Sequence, residues 1–289
     1  MINHSLTVTM IQFPAYIFLI TQVFILIKAD PLEGKHVFPV EPPQFPFIVS
    51  LRQKSFQDIL TSQHFCTGSL ITQKHVITAA HCFQERIEFE VEAIVSQQNW
   101  TRPSLSYEID SWLTYNSWAP ANGKTIEFPI NDVAIVKLSL PICHDGITPA
   151  HLTNLNNKQL YGTKAMIVGW VGIYDNSSTM HLLQGKVTIL RPSKSEHLIK
   201  LVANRKIKVN ENYLATFAKP YILASCGDSG GPLLDNNNFL VGITRSTCPK
   251  IYWGDFPEEF LNHYKINLHS SVDYYREFIE NVTTLAEVQ

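Results

Sequence analysis

Residues 64–82 read HFCTGSLITQKHVITAAHC. Inside this stretch, residues 70–79 (LITQKHVITA) are rich in apolar and β-branched side chains, the composition of a strand that buries one face. The run closes on Thr78-Ala79-Ala80-His81-Cys82, so a histidine and a cysteine stand where the strand ends. Working outward, similar short runs recur between turn residues: 47–51 (FIVSL), 133–138 (VAIVKL), 165–171 (AMIVGWV), 187–190 (VTIL) and 239–244 (FLVGIT). Many short strands separated by loops predict an all-β sandwich or barrel. The C-terminus departs from that pattern. Val272, Tyr275, Phe278, Ile279 and Val282 recur mostly at steps of three, the spacing of an amphipathic α-helix laid on the body. Residues 102–128 and 191–221 read as longer, polar, turn-rich loops.

Composition bounds the function. The chain has 289 residues, 45% hydrophobic and 17% charged, which is apolar enough to bury a full core and unlike a disordered sequence. The length suits one large domain or two small ones. Twenty-three Lys and Arg against 25 Asp and Glu give a net charge of −2. A nucleic-acid binder needs a basic surface for its phosphate partners, so that class is disfavoured.

Residues 1–29 are expected to be a secretory signal peptide. Residues 13–27 (FPAYIFLITQVFILI) are apolar apart from Thr21 and Gln22, contain Pro14 and run into Lys28-Ala29. That is short for a bilayer span of about 20 residues and suits a cleavable leader cut near Ala29. The segment before it carries no Lys or Arg, which keeps an uncleaved anchor as the alternative. The expectation is a secreted, extracellular protein, with no stable membrane insertion once the leader is removed. A Pro-rich lead over 30–44, with Pro31, Pro39, Pro42 and Pro43, is expected to be an extended arm over the surface, and 45–289 to be the folded domain. The sequons at Asn99, Asn176 and Asn281 offer glycan sites to a secreted chain. The five cysteines, Cys66, Cys82, Cys143, Cys226 and Cys248, leave at least one thiol unpaired or bridged to another molecule. None has the C-x-x-C spacing of a zinc or redox site.

Three patterns carry chemistry when read together. They are His81 at its strand end, Asn131-Asp132 entering the apolar run 133–138, and Ser229 in Cys226-Gly227-Asp228-Ser229-Gly230-Gly231-Pro232. A serine hydroxyl needs an adjacent base to become a nucleophile. An imidazole serves as that base near neutral pH, and a buried carboxylate fixes its tautomer and steadies the imidazolium. The glycines allow a tight turn that leaves the N–H groups of Gly227 and Ser229 free to bind an oxyanion. Gly227-x-Ser229-x-Gly231 also satisfies the nucleophile elbow of α/β-hydrolases. That fold orders its residues Ser, acid, His, with a helix after the serine. Here the order is His, Asp, Ser, and Gly230-Gly231-Pro232 blocks a helix. No cofactor or metal is called for. His263 and His269 are too far apart for a metal pair on one helical face and read as solvated.

From about Phe45 to the C-terminal helix the chain resembles the trypsin/chymotrypsin-like serine proteases of the S1 family. The matching pieces are FPFIVSL, HFCTGSLITQKHVITAAHC, NDVAIVKL, VGWV, LLQGKVTIL, CGDSGGPLL and LVGI. The resemblance implies two packed six-stranded antiparallel β-barrels with a C-terminal helix and the active site in the cleft between barrels. It implies His81 as general base, Asp132 as its orienter, Ser229 as nucleophile and Gly227 with Ser229 as oxyanion hole. It further implies bridges Cys66–Cys82 and Cys226–Cys248, leaving Cys143 as the odd cysteine, free or intermolecular. Protein or peptide substrates and protein inhibitors are the implied partners.

The departures from the family bear on binding and activation. A further family bridge is missing, with Ala165 standing where its cysteine precedes VGW. One residue is lacking between Cys226 and Gly227, and the strand after Gly242-Ile243 is shortened to Thr-Arg-Ser-Thr-Cys. The family position that selects Lys or Arg is Leu223, or Ala224 once the shortened loop is allowed for, so an apolar side chain is the expected preference. Arg245 offers the alternative of an acidic one. Asp228 matches the carboxylate that pairs with a freshly cut N-terminus, yet no Ile-Val-Gly-Gly is present. A cut after Lys35 would give the ill-suited end His36-Val37-Phe38, so activation by cleavage is expected to be inefficient or absent, with Asp228 finding another donor or pointing outward. A non-catalytic protease homologue acting as an extracellular binding or regulatory protein is the competing reading.

Overall fold

The computed structural model describes residues 32–34, 36–41, 43–54, 63–95, 105–170, 182–203, 207–248 and 263–285. Residues 1–29, expected to be a leader, and the sequon residues Asn99 and Asn176 lie outside them. Two short strands open the chain, β1 (Glu33–Gly34) and β2 (Val37–Pro39). Six strands then close an antiparallel barrel: β3 (Ile48–Gln53), β4 (Gln63–Leu70), β5 (His75–Thr78), β6 (Val91–Val95), β7 (Leu105–Thr114) and β8 (Ala134–Leu138). Their order around the barrel is β3-β4-β5-β8-β7-β6. A second group comprises β9 (Lys164–Trp170), β10 (Leu182–Leu190), β11 (Tyr213–Phe217), β12 (Ile222–Leu223), β13 (Pro232–Asp235), β14 (Leu240–Cys248) and β15 (Ile266–Ser271). Its sheet runs β11-β15-β14-β13-β9-β10 and closes through a β10–β11 pairing, giving the second six-stranded barrel, with β2 added outside β10.

Several sequence expectations are corrected. Residues 70–79 are two strands rather than one: Leu70 ends β4, the chain turns through 71–74 with Ile71 N–H donating to His75 O, and β5 begins. The polar stretch 102–128 contains β7 and helix α1 (Tyr115–Ala121). β7 buries only Ile109 fully and leaves most of its other side chains partly or wholly exposed, so its sequence carries little apolar signal. A short α2 (Asn157–Leu160) follows. The stretch 191–221 contains α3 (Pro192–Ala203), with Pro at its first position, and β11. The Pro-rich lead is extended and tied to the second barrel. β2 pairs with β10 and β1 with β12, and Leu32 is buried in the second core. A Cβ on Gly34 would stand 2.3 Å from the Tyr221 carbonyl oxygen, so only glycine fits that pairing.

The C-terminal helix α4 (Arg276–Leu285) follows the sequence reading. Tyr275, Phe278 and Ile279 are buried against the first barrel's flank, where the Phe278 ring meets Tyr115 edge-on at 5.8 Å and Trp118 at 5.4 Å. Removing a buried aromatic leaves a cavity that its neighbours only partly fill. Phe278→Ala should therefore cost about 3 kcal/mol or more in urea unfolding, and a loss within experimental error would show that the helix is not docked as described.

Candidate active site

His81 sits in a single 3-10 turn, Ala80–Phe83, directly after β5. The turn is pinned to β4 by the Cys66–Cys82 disulfide. Asp132 precedes β8, whose pairing with β5 brings the two loop ends together. Its Oδ1 accepts the His81 backbone N–H at 2.9 Å, and its Oδ2 lies 2.8 Å from His81 Nδ1. Asp132 is buried, whereas His81 keeps 37% of its side-chain surface exposed. Burial pushes the Asp132 carboxyl up, but the His81 hydrogen bonds and charge and the nearby Arg245 outweigh it, holding it below the usual carboxylate range. The carbonyl of Asp132 accepts from Ser270 Oγ of the second barrel at 2.7 Å. The preceding Asn131 is held by Tyr275 Oη at 2.9 Å.

The serine loop enters from the second barrel. Thr67 N–H donates to the Ser229 carbonyl at 2.8 Å and Gly230 N–H to the Thr244 carbonyl at 2.7 Å, which stitches the loop to both barrels. Gly230 has φ +82°, and a Cβ there would stand 2.0 Å from Thr78 Oγ1. The tight approach that delivers Ser229 therefore requires glycine. Ser229 shares one cleft with His81 and Asp132, of volume ≈ 890 Å³. Its Oγ donates to the Arg245 carbonyl at 3.4 Å, and no hydrogen bond links it to His81 among the described residues. Catalytic hydrogen bonds are often long before substrate binds. The backbone N–H groups of Gly227 and Ser229 donate to no partner among the described residues. Asp228 is fully buried beneath the loop, its Oδ2 accepting the Ser225 N–H at 2.8 Å.

Other predicted residues are placed as follows. Ala224 lines the cleft, while Leu223 is buried in β12 opposite Glu33. Arg245 also lines the cleft, but its side chain turns toward Asp132, with Nε 3.4 Å from Oδ2 and Cζ 5.4 Å from the Tyr213 ring centroid. No disulfide joins Cys226 to Cys248, a correction to the family-based pairing. Cys226 faces solvent, and Cys248 ends β14 opposite Ile266. Cys143 is an exposed thiol, and Asn281 lies half-buried on α4. His269 is not solvated: it is buried between the Thr216 and Thr244 hydroxyls. The candidate metal cluster among the described residues, Cys66, His81 and Cys82, has both sulfurs committed to the disulfide.

One functional group escaped the sequence reading. The Gly227 carbonyl accepts from Thr67 Oγ1 at 2.7 Å and lies 3.1 Å from His64 Nε2. A carbonyl only accepts, so Nε2 carries the proton and Nδ1 accepts from Ser50 Oγ at 2.7 Å. These contacts fix the peptide that orients the loop. The available signal was a histidine two residues before Cys66 and polar side chains, Ser50 and Thr67, inside otherwise apolar runs. Burial first, then the Arg52 charge, pushes His64 down to about 3, against the opposing pull of the Gly227 carbonyl.

A histidine whose folded pKa lies below its unfolded value of about 6.5 binds fewer protons folded than unfolded between those limits. Stability is therefore complete above about pH 6.5 and falls as pH drops toward 3. His64→Gln keeps a donor for the Gly227 carbonyl and removes the titration. The loss of stability between pH 7.5 and 4.5, measured by urea unfolding, should shrink in that variant, and an unchanged loss would remove His64 as a source.

Comparisons with known proteins agree with this architecture. The Trypsin family model matches residues 36–256. Transmembrane protease serine 11C of Mus musculus is 26% identical over 85% of this chain, which spans only 52% of that relative's length. Chymotrypsin-C of Mus musculus is 29% identical over 66% of this chain and 68% of its own, and trypsin of Sarcophaga bullata is 28% identical over 65% and 71%. The solved structure of mouse neuropsin, a serine protease, superposes with a TM-score of 0.62 at 20% identity, covering 86% of this chain and 98% of its own, a likeness of fold. Taken with the two closed barrels and the cleft between them, the match shows that this chain belongs to the trypsin family of serine proteases, peptidase family S1.

Proposed function

We propose that the chain is an active extracellular serine endopeptidase that works through an acyl-enzyme on Ser229. The observation that carries this reading is the pairing of His81 Nδ1 with Asp132 Oδ2 at 2.8 Å in the cleft that also holds Ser229. Ser229 Oγ attacks the scissile carbonyl while His81 Nε2 takes its proton. Asp132 holds Nδ1–H and stabilises the imidazolium. The negative oxygen formed is met by the N–H groups of Gly227 and Ser229. Collapse breaks the C–N bond, His81 returns the proton to the leaving amine, and water then repeats the sequence to free Ser229.

The wall of the cleft is apolar at Ala224, with no carboxylate at that position or at the buried Leu223 to pair a cationic side chain. We therefore assign a preference for apolar residues before the cut, with proteins or peptides as substrates and protein inhibitors as partners. Residues 1–29 are assigned as the leader, and Asn99, Asn176 and Asn281 as glycan sites. No helix among the described residues is long and apolar enough to cross a membrane. One relative is a transmembrane protease by name, so anchoring through residues 13–27 is the competing placement.

Two observations favour the second reading, a catalytically weak homologue used as a binding or regulatory protein. Ser229 Oγ is turned to the Arg245 carbonyl rather than to His81, and no bridge joins Cys226 to Cys248. Hydrolysis of a peptide library decides between them. The proposal predicts cleavage after apolar residues and loss of about four decades in kcat for Asp132→Asn, the size of loss this change causes in a serine-protease triad. Efficient cleavage after Arg would overturn the pocket assignment. No cleavage by the wild-type chain would favour the weak homologue.

A further inference from the structure

The Asp132 carboxylate is met from two sides. His81 takes Oδ1 through its backbone and Oδ2 through Nδ1, and Arg245 brings Nε to 3.4 Å from the same Oδ2. Arg245 comes from β14, the strand whose carbonyl at that residue accepts from Ser229 Oγ. Its guanidinium rests over the Tyr213 ring, 5.4 Å from the centroid, and the Tyr213 hydroxyl is tied to the Ile130 carbonyl at 3.0 Å. A planar cation held on an aromatic face is fixed in place and partly desolvated. Among the described residues, the titratable or charged groups that face the carboxylate are thus His81 from the turn after β5, Arg245 from β14 and the neutral Tyr213 phenol from β11.

We propose that Arg245 is a positioning residue that clamps the outer face of Asp132 and lowers the pH range in which His81 works as a base. This rests on the reading of His81, Asp132 and Ser229 as a catalytic triad. A carboxylate stabilises the imidazolium through their opposite charges. A permanent cation beside the same oxygen offsets part of that attraction and repels the imidazolium directly. The base therefore gives up its proton at lower pH than it would beside an uncharged residue, and the acid limb of activity moves with it.

The test follows the His81 imidazole by NMR titration of the folded full chain, with its signals assigned by their loss in His81→Gln. Arg245→Met and Arg245→Gln remove the charge, and Arg245→Lys retains it. In the neutral variants the midpoint should rise by about half to one pH unit, the scale of one extra charge several ångströms away, and Lys should return it toward wild type. Two neutral variants guard against one failing to fold. A midpoint unchanged in the neutral variants, or displaced equally in Lys, overturns the proposal. Activity is a separate readout: an acid limb displaced in parallel extends the effect to catalysis, whereas a chain inactive at every pH would sink the enzyme reading while the titration still judges Arg245.

Discussion

Burying a carboxylate is costly unless its charge is met by donors, and the structure is organised around meeting that of Asp132. The donors come from both barrels. His81 supplies a backbone N–H and a ring N–H from the first barrel, and Arg245 supplies a cation from the second. Ser270, also from the second barrel, holds the Asp132 carbonyl. None of these groups is near Asp132 in sequence. Both barrels must therefore be closed and docked before the charge is satisfied, and correct docking is coupled to assembly of the site.

The second constraint is steric. The serine loop approaches β4 and β5 so closely that Gly230 has no room for a side chain, and a Cβ on Gly169 would stand 1.8 Å from Asp228 Oδ1. Glycine at these points lets one barrel's loop enter the other's wall, where Thr67 grips both the Ser229 and Gly227 carbonyls. The N-terminal lead joins the same region from behind. β1 pairs with β12, and Ala224 and the serine loop follow β12 directly. The segment upstream of the barrels is thereby built into the support of the cleft.

Much of this was legible in the sequence. The fold was readable because strands such as β3, β8 and β9 bury nearly every residue and so stand out as apolar runs. The candidate triad was readable because three short patterns stood in one order. β7 and α3 were missed because each buries little, leaving a mostly polar sequence that resembles a loop. β1 and β2 were missed because their partners, β12 and β10, are distant in sequence and prolines flank them. His64 was not readable as part of the site, and Arg245 was readable as a pocket residue but not as a partner of Asp132, since each acts through contacts with a residue that only docking brings near. The Cys226–Cys248 pairing came from family likeness, and the structure does not join the two.

The central claim is that the buried Asp132 and His81 make Ser229 a nucleophile. Reaction of the purified chain with a fluorophosphonate, followed by mapping of the adduct by mass spectrometry, tests this without assuming any substrate. The account predicts one phosphonyl group on Ser229, forming faster at pH 8 than at pH 5 and abolished in His81→Ala. A chain that stays unlabelled while folded, or one labelled equally well without His81, would contradict it.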